Sequence, residues 1–306
     1  MERAPLRWLS PKREFSRSLD QRASMSGEAG FSSPQGYFAL SGLGRIRVTG
    51  ADRLRYLNGQ TSNDLRKLQP GSALSALVLT AKGKICAPVQ IWEDGDAHVV
   101  ETVAELSETL LARLERYAIA DDVSFELMDS APGWHVLGES VDGLRVNRLG
   151  AFGVDVSTLP AGLGEFSADE VERLRILRGV PAWGAEIDED TLPQEARLDR
   201  SAVDFHKGCY VGQEVVSRLR SVGRVSEILT LFRGDISLQP GRCAWVLADS
   251  TGAKTARITS IAPLSPPFFA LGYTSTRSEE AVFSVVDETG ACLGRVEKTE
   301  FPLTLE

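Results

Sequence analysis

Helical periodicity stops near Val225, and from there the chain reads only as short strands. Apolar runs at Ile228–Phe232, Ala244–Leu247, Ala256–Ile261, Phe268–Tyr273, Val282–Val286 and Cys292–Val296 alternate with turns rich in Gly, Pro and Asp. Six short strands at this spacing predict a small closed β-barrel over residues 225–306. Upstream, strand and helix patterns mix, which assigns residues 35–224 to an α+β region, with two subdomains dividing near residue 130.

Within that region, Arg45–Val48 alternates polar and apolar as a half-buried strand does. Gly50 breaks it, Asp52 stands where a helix N-cap belongs, and Leu54 and Leu57 supply a short helical face ending at Gly59. A meander follows, with strands at Ala76–Thr80, Ile85–Trp92 and Ala97–Glu101 separated by Lys82-Gly83 and Asp94-Gly95 turns. Thr102 and Glu105 have capping-box spacing ahead of a helix carrying Val103, Leu106, Leu110, Leu114 and Tyr117 on one face. Further strands are expected at Asp122–Leu127, Trp134–Leu137 and Leu144–Arg148. Ser167 and Glu170 form a second capping box, opening a helix with Val171, Leu174 and Leu177 inward that stops at Gly179.

Composition narrows the function classes. A formal net charge of −8 over 306 residues argues against broad contact with nucleic acid or an anionic membrane. Arg218, Arg220 and Arg224 still form a local basic patch suited to an anion. No apolar run reaches the ~20 residues that span a bilayer. The four cysteines, Cys86, Cys209, Cys243 and Cys292, are scattered, as are the three histidines, so no resident metal framework is expected. Free thiols fit a reducing compartment, and the cytoplasm is the expected location. Residues 1–34 carry six basic and four acidic residues and no sustained apolar face, which reads as an unstructured lead. Met25 offers an alternative translation start.

The chemistry concentrates in Lys207-Gly208-Cys209-Tyr210-Val211-Gly212-Gln213-Glu214. Val215, Val216 and Leu219 recur at helical spacing, so Gly212 sits where a loop feeds a helix. Cys209 then lies near a helix N-terminus with Lys207 and His206 beside it, an environment that favours a thiolate. The bland alternative is a small buried cysteine in a Gly-rich turn. One thiolate is also enough to donate a single bond to an iron–sulfur cluster shared with a partner, although the chain lacks a complete ligand set.

The octapeptide K-G-C-Y-x-G-Q-E resembles the signature of the YgfZ family, folate-binding relatives of the glycine cleavage T-protein that support iron–sulfur enzymes. Two further segments carry the same resemblance: Val48 to Asp64, and Gly179-Val180-Pro181 followed by Pro193-Gln194-Glu195. The resemblance spans roughly residues 37–295. It implies a multi-domain ring of α+β pieces around a central folate channel, closed by the C-terminal barrel. Cys209 and Lys207 are then the candidate catalytic pair. Tyr210, Gln213, Glu214, Arg218 and Glu195 are candidate contacts to tetrahydrofolate or a derivative, whose pterin edge needs polar partners and whose tail needs a cation. Glu214 and Arg218, four apart on one helix, are equally placed to pair with each other.

The T-protein transfers an aminomethyl carbon using acids that this chain lacks. Cys86 and Ala87 stand at one such position in Lys82-Gly83-Lys84-Ile85-Cys86-Ala87, and Leu177 at another. Three readings follow: a tetrahydrofolate-binding accessory protein for iron–sulfur enzymes or their cluster carriers, with Cys209 as its thiol; a folate-dependent one-carbon transferase using other carboxylates such as Glu186, Glu195 or Asp204; or a scaffold whose folate site has lapsed.

Overall fold

The structure, a computed structural model, describes residues 34–301 except 130, 131, 222, 235, 237, 264–266 and 288. The expected lead thus lies outside the described residues, apart from Pro34. The chain opens with β1 (Gly36–Ala39), β2 (Leu43–Thr49) and α1 (Arg53–Gln60). The meander follows as β3 (Leu74–Leu79), β4 (Ile85–Asp94) and β5 (Ala97–Val103), then α2 (Ser107–Tyr117). Next come β6 (Ser124–Met128), β7 (Trp134–Leu137), β8 (Leu144–Asn147), β9 (Phe152–Val156) and α3 (Ala168–Leu177). A long irregular connector leads to α4 (Gln213–Ser221). The rest is β10 (Glu227–Gly234), β11 (Gly241–Ala248), β12 (Lys254–Ile261), β13 (Phe268–Ser275), β14 (Val282–Val286) and β15 (Cys292–Thr299).

Three sheets result. A five-stranded sheet runs β3-β4-β5-β2-β6, and a four-stranded one runs β1-β7-β9-β8. Strict alternation along β4 sends Ala87, Val89 and Ile91 inward, onto the core that α1 and α2 cover with Tyr56, Leu57, Leu110 and Leu114. The Tyr56 hydroxyl donates to the Leu114 carbonyl at 2.5 Å, joining the two helices. Arg148 links the sheets: it is ion-paired with Glu101 of β5 at 2.7 Å and with Asp155 of β9. Asp155 also meets His135 Nδ1 at 2.7 Å, and burial pushes the histidine pKa down.

The six C-terminal strands close into a barrel in the order β10-β13-β12-β11-β14-β15, with β10 pairing both β13 and β15. Phe232, Leu247, Ile258, Phe268, Phe283 and Val296 fill its interior. Phe232 and Phe283 meet edge to face at 6.0 Å, the arrangement that ring quadrupoles favour. The outer face of β10 and β13 presents Leu229, Leu231, Leu271 and Tyr273 to Ile176 and Leu177 of α3. The barrel therefore packs on the preceding region through a second apolar layer.

Two local expectations need correction. The Ser167–Glu170 capping box is formed, but the Thr102–Glu105 one is not. Thr102 still belongs to β5, and its hydroxyl donates to the Pro88 carbonyl at 2.8 Å. A 3-10 turn (Ala104–Leu106) then precedes α2, which starts at Ser107. β9 had no counterpart among the expected strands. Its Phe152, Val154 and Val156 do alternate, and Asp155 on the other face joins the Arg148–His135 network.

Candidate functional site

Three stretches distant in sequence meet around the Cys209 loop. Ser62 ties the first to the loop: its hydroxyl donates to the Ala202 carbonyl at 2.5 Å and accepts from Leu77 N at 2.8 Å. Asp204 N donates to the Ser62 carbonyl at 3.0 Å, and Val211 N to the Gly59 carbonyl at 3.3 Å. Lys207 provides the central anchor. Its Nζ donates to the carbonyls of Asn58, Thr61 and Asn63, each at 2.7 Å. An ammonium group has three N–H donors, so none is left for another partner. Burial pushes the Lys207 pKa down to about 8, which still leaves it charged at neutral pH. Lys207 therefore holds the loop through three main-chain carbonyls.

Cys209 lies at the crest between two buried anchors. Gly208 and Cys209 are exposed, whereas Lys207 and Tyr210 are 5% and 7% exposed. The Lys207 ammonium lies 5.2 Å from the Tyr210 ring centroid. The reading of Cys209 as a buried core residue is thus corrected: the thiol is free and open to solvent. The Tyr210 hydroxyl is buried with no partner among the described residues, and burial pushes its pKa up to about 12.

The third stretch is the Lys82-Gly83 turn. Gly212 has φ +86°, and a Cβ there would stand 2.5 Å from the Thr80 carbonyl oxygen and 3.3 Å from Gly83 Cα. Only glycine combines that backbone with so close an approach. α4 starts at the next residue, as the pattern predicts. Gln213 is half-buried, whereas Glu214 and Arg218 are exposed and form no ion pair among the described residues.

Glu195 belongs to the seam with the barrel. Its carboxylate accepts from Leu192 N at 2.9 Å and from Ser226 Oγ at 3.4 Å, and its carbonyl accepts from Leu229 N at 2.8 Å. Burial raises the pKa of this carboxyl, with Glu227 adding to the effect. Gln194 Nε2 donates to the Val216 carbonyl at 2.9 Å, tying the segment to α4. Beside it opens a cleft of ≈ 230 Å³, lined by Gln194, Arg197, Asp199, Arg200, Leu219 and Arg224 among others. The cleft holds sequence neighbours of Glu195 and Arg218 and not those two residues, so the structure does not gather the candidate folate contacts into it.

The other carboxylates considered for transfer chemistry are already engaged. The Glu186 side chain is fully buried and ion-paired with Arg175 at 2.9 Å. It also accepts from Ser260 at 2.6 Å, Thr259 at 2.7 Å and Ala182 N at 3.0 Å. This network joins the connector to β12. Asp204 binds Lys67 at 2.5 Å and accepts from His206 N at 2.8 Å. Neither network has a sequence signature, because the partners lie far along the chain. Where the resemblance places transferase acids, Ala87 and Leu177 are buried apolar residues, and burial raises the thiol pKa of Cys86. Among the described residues, no three His, Cys, Asp or Glu side chains gather to hold a metal ion.

No protein-family model matches the chain. An iron-sulfur cluster assembly factor IBA57 homolog, mitochondrial, of Neurospora crassa is 27% identical over 216 residues, covering 59% of this chain and 49% of the relative. Its counterpart in Pyricularia oryzae is 30% identical, with 62% and 55% covered. The chain thus spans about half the length of these fungal relatives. A tRNA-modifying protein YgfZ of Escherichia coli is 26% identical over 228 residues, with 63% of this chain and 70% of that protein covered. The fold matches a glycine cleavage system aminomethyltransferase T from Bartonella henselae with a TM-score of 0.73 at 16% identity, over 88% of this chain and 86% of that one. Sequence and architecture together make the chain a homologue of proteins named YgfZ and IBA57, carried on the fold of the glycine cleavage T-protein.

Proposed function

We propose that the chain is a tetrahydrofolate-binding accessory protein that supports maturation or repair of iron–sulfur enzymes, with Cys209 as its working thiol. The observation that carries this reading is the exposed Cys209 on a loop fixed from below by the three Lys207 hydrogen bonds. A structural cysteine needs no such display, whereas a thiol that meets a partner's cluster does. The cluster is cargo: Cys209 supplies one thiolate and the client enzyme or cluster carrier supplies the others. The relatives named as iron–sulfur assembly factors and as tRNA-modifying proteins agree with this role. No helix among the described residues is long and apolar enough to cross a membrane, and the reading takes the cytoplasm as its compartment.

The residues present suit a folate chemically. Tyr210 keeps a buried hydroxyl without a partner among the described residues, and Glu195 keeps a half-buried carboxyl with its pKa raised. Both can meet the N–H and carbonyl edge of a reduced pterin, with Gln213 and Glu214 at the start of α4 as further polar groups. Arg218 is exposed and has no ion-pair partner among the described residues, so it is available to a carboxylate. Buried Ala87 and Leu177 leave no acid at the transferase positions, so folate is bound without aminomethyl transfer.

Calorimetric titration of the full chain with tetrahydrofolate tests the ligand, and an assay coupling an aminomethyl carrier to methylene-folate formation tests the chemistry. Saturable binding with background turnover is expected. Turnover at enzyme-like rates would establish the transferase reading instead, and absence of any folate binding would leave a scaffold.

A further inference from the structure

The strand edges of this fold are covered, with one exception. β1 is capped by residues 164–166: Tyr37 N donates to the Gly164 carbonyl at 2.9 Å and Phe166 N to the Tyr37 carbonyl at 2.8 Å. β8 is capped by residues 71–73, where Arg145 N donates to the Gly71 carbonyl and Ala73 N to the Arg145 carbonyl, both at 2.8 Å. On β3, Ser62 N donates to the Leu77 carbonyl at 2.9 Å and the Asn63 amide to the Ser75 carbonyl at 2.8 Å. The barrel closes on itself. β6 pairs with β2 alone, and among the described residues no main-chain group of Ser124–Met128 bonds to any other segment. An open edge is a template for another strand, so folded proteins rarely leave one bare.

The surroundings of this edge are apolar and acidic. Leu127 on β6 is 44% exposed, and Tyr117 and Ile119, at the end of α2 and just beyond it, are 43% and 89% exposed. Half of the large exposed apolar side chains among the described residues thus fall between residues 117 and 127, so the exposure is concentrated beside β6. From Tyr117 to Leu144 the sequence contains no Lys or Arg. Asp121 is spent on Arg55 at 2.6 Å and Asp122 on Ala51 N at 3.2 Å. Glu126 and Asp129 are exposed and form no ion pair among the described residues. Arg47, opposite Glu126 in register, is ion-paired with Asp94 and Asp96. The edge therefore carries unbalanced negative charge next to apolar side chains.

This combination selects the occupant. A second copy would bring its own Glu126 and Asp129 to the same edge, and like charges facing each other across a strand pair are unfavourable. A basic strand meets the opposite condition. We propose that β6 is a strand-addition site for an extended segment of a partner protein in which apolar and basic side chains alternate. Main-chain hydrogen bonds along Ser124–Met128 supply the affinity, Leu127 the apolar contact, and Glu126 and Asp129 the preference for Lys or Arg. Glu126 and Leu127 point to opposite faces of the sheet, which matches the alternation of the incoming strand. The site is separate from the Cys209 thiol. Four strand spacings, about 19 Å, lie between β6 and β3, the strand whose edge is covered by the segment that anchors Lys207.

Short fluorescein-labelled peptides, titrated into the full chain and read by anisotropy, test this. One alternates lysine and valine, a second alternates glutamate and valine, and a third is the lysine–valine peptide with proline at its centre, which removes a ladder donor. The lysine–valine peptide should bind saturably and slow amide hydrogen exchange within Ser124–Met128. The other two should bind at least tenfold more weakly. In a Glu126→Lys, Asp129→Lys double variant whose thermal unfolding matches the parent's, the preference should invert toward the glutamate peptide. Equal binding of the lysine and glutamate peptides, exchange protection confined to other strands, or no saturable binding overturns the proposal. A concentration-dependent dimer of the chain with β6 protected assigns the edge to a second copy and overturns it as well.

Discussion

Replacing Lys207 with Met removes the ammonium and keeps an unbranched side chain in its place. Three carbonyl oxygens, on Asn58, Thr61 and Asn63, then lose their donors. Leaving a buried acceptor unpaired costs about 1–3 kcal/mol, so the gross loss is about 3–9 kcal/mol. Against this, the variant no longer buries a charge. The parent ammonium is depressed from 10.5 to about 8, and with partial solvent screening the relief is about 2–3 kcal/mol. The difference spans about 0–7 kcal/mol, and net destabilisation near its middle, about 3 kcal/mol, is expected. Urea unfolding at pH 7, followed by tryptophan fluorescence, reads this directly. A second readout comes from alkaline pH. Between about 8 and 10.5 the unfolded parent holds a proton that the folded parent has released, so parent stability gains over the variant's as pH rises through that window. A change below about 0.5 kcal/mol at pH 7, together with parallel pH curves, would show that Lys207 is not the anchor described here.

Other substitutions test the surrounding structure. Glu186→Gln removes one of two carboxylates paired with buried Arg175, Glu172 remaining at 2.6 Å, and should cost about 1.5–3 kcal/mol in urea unfolding; a cost under about 0.5 kcal/mol would remove this network from the barrel seam. Maleimide labelling of the native protein, mapped by mass spectrometry, should modify exposed Cys209 well before Cys86, whose thiol pKa burial raises; equal rates would contradict the placement of the loop. Asp64 is held down to about 2 by Arg66, so its contribution is present above the ordinary carboxylate pKa and is lost as pH falls through about 2. Asp64→Asn should flatten the acid limb of the stability profile, and an unchanged limb would show the pair to be inert.

Much of the scaffold was legible because local rules governed it. Short apolar runs between turn residues located all six barrel strands, and Ser167 with Glu170 marked the start of α3. The same spacing misled at Thr102, where β5 continues in register with β2 through the Gly44–Thr102 pair. Long-range pairing outranked a local cap there. At the site, the Gly212-to-Gln213 transition was readable. The partners of Lys207 were not. They are main-chain carbonyls on another segment, and main-chain groups leave no mark in the sequence of side chains. Of the basic patch Arg218, Arg220 and Arg224, Arg224 alone lines the cleft beside α4; Arg197 and Gln194 joined it only through folding.

Cys209→Ala tests the central claim most directly. The side chain is exposed, so the substitution should leave urea unfolding and folate affinity within error of the parent. The measurement is the activity of iron–sulfur enzymes in cells that lack the native protein and express either form at equal level. The parent chain should restore that activity and the alanine variant should not. Full restoration by the variant would contradict the thiol's role and leave residues 207–214 as an anchored structural loop.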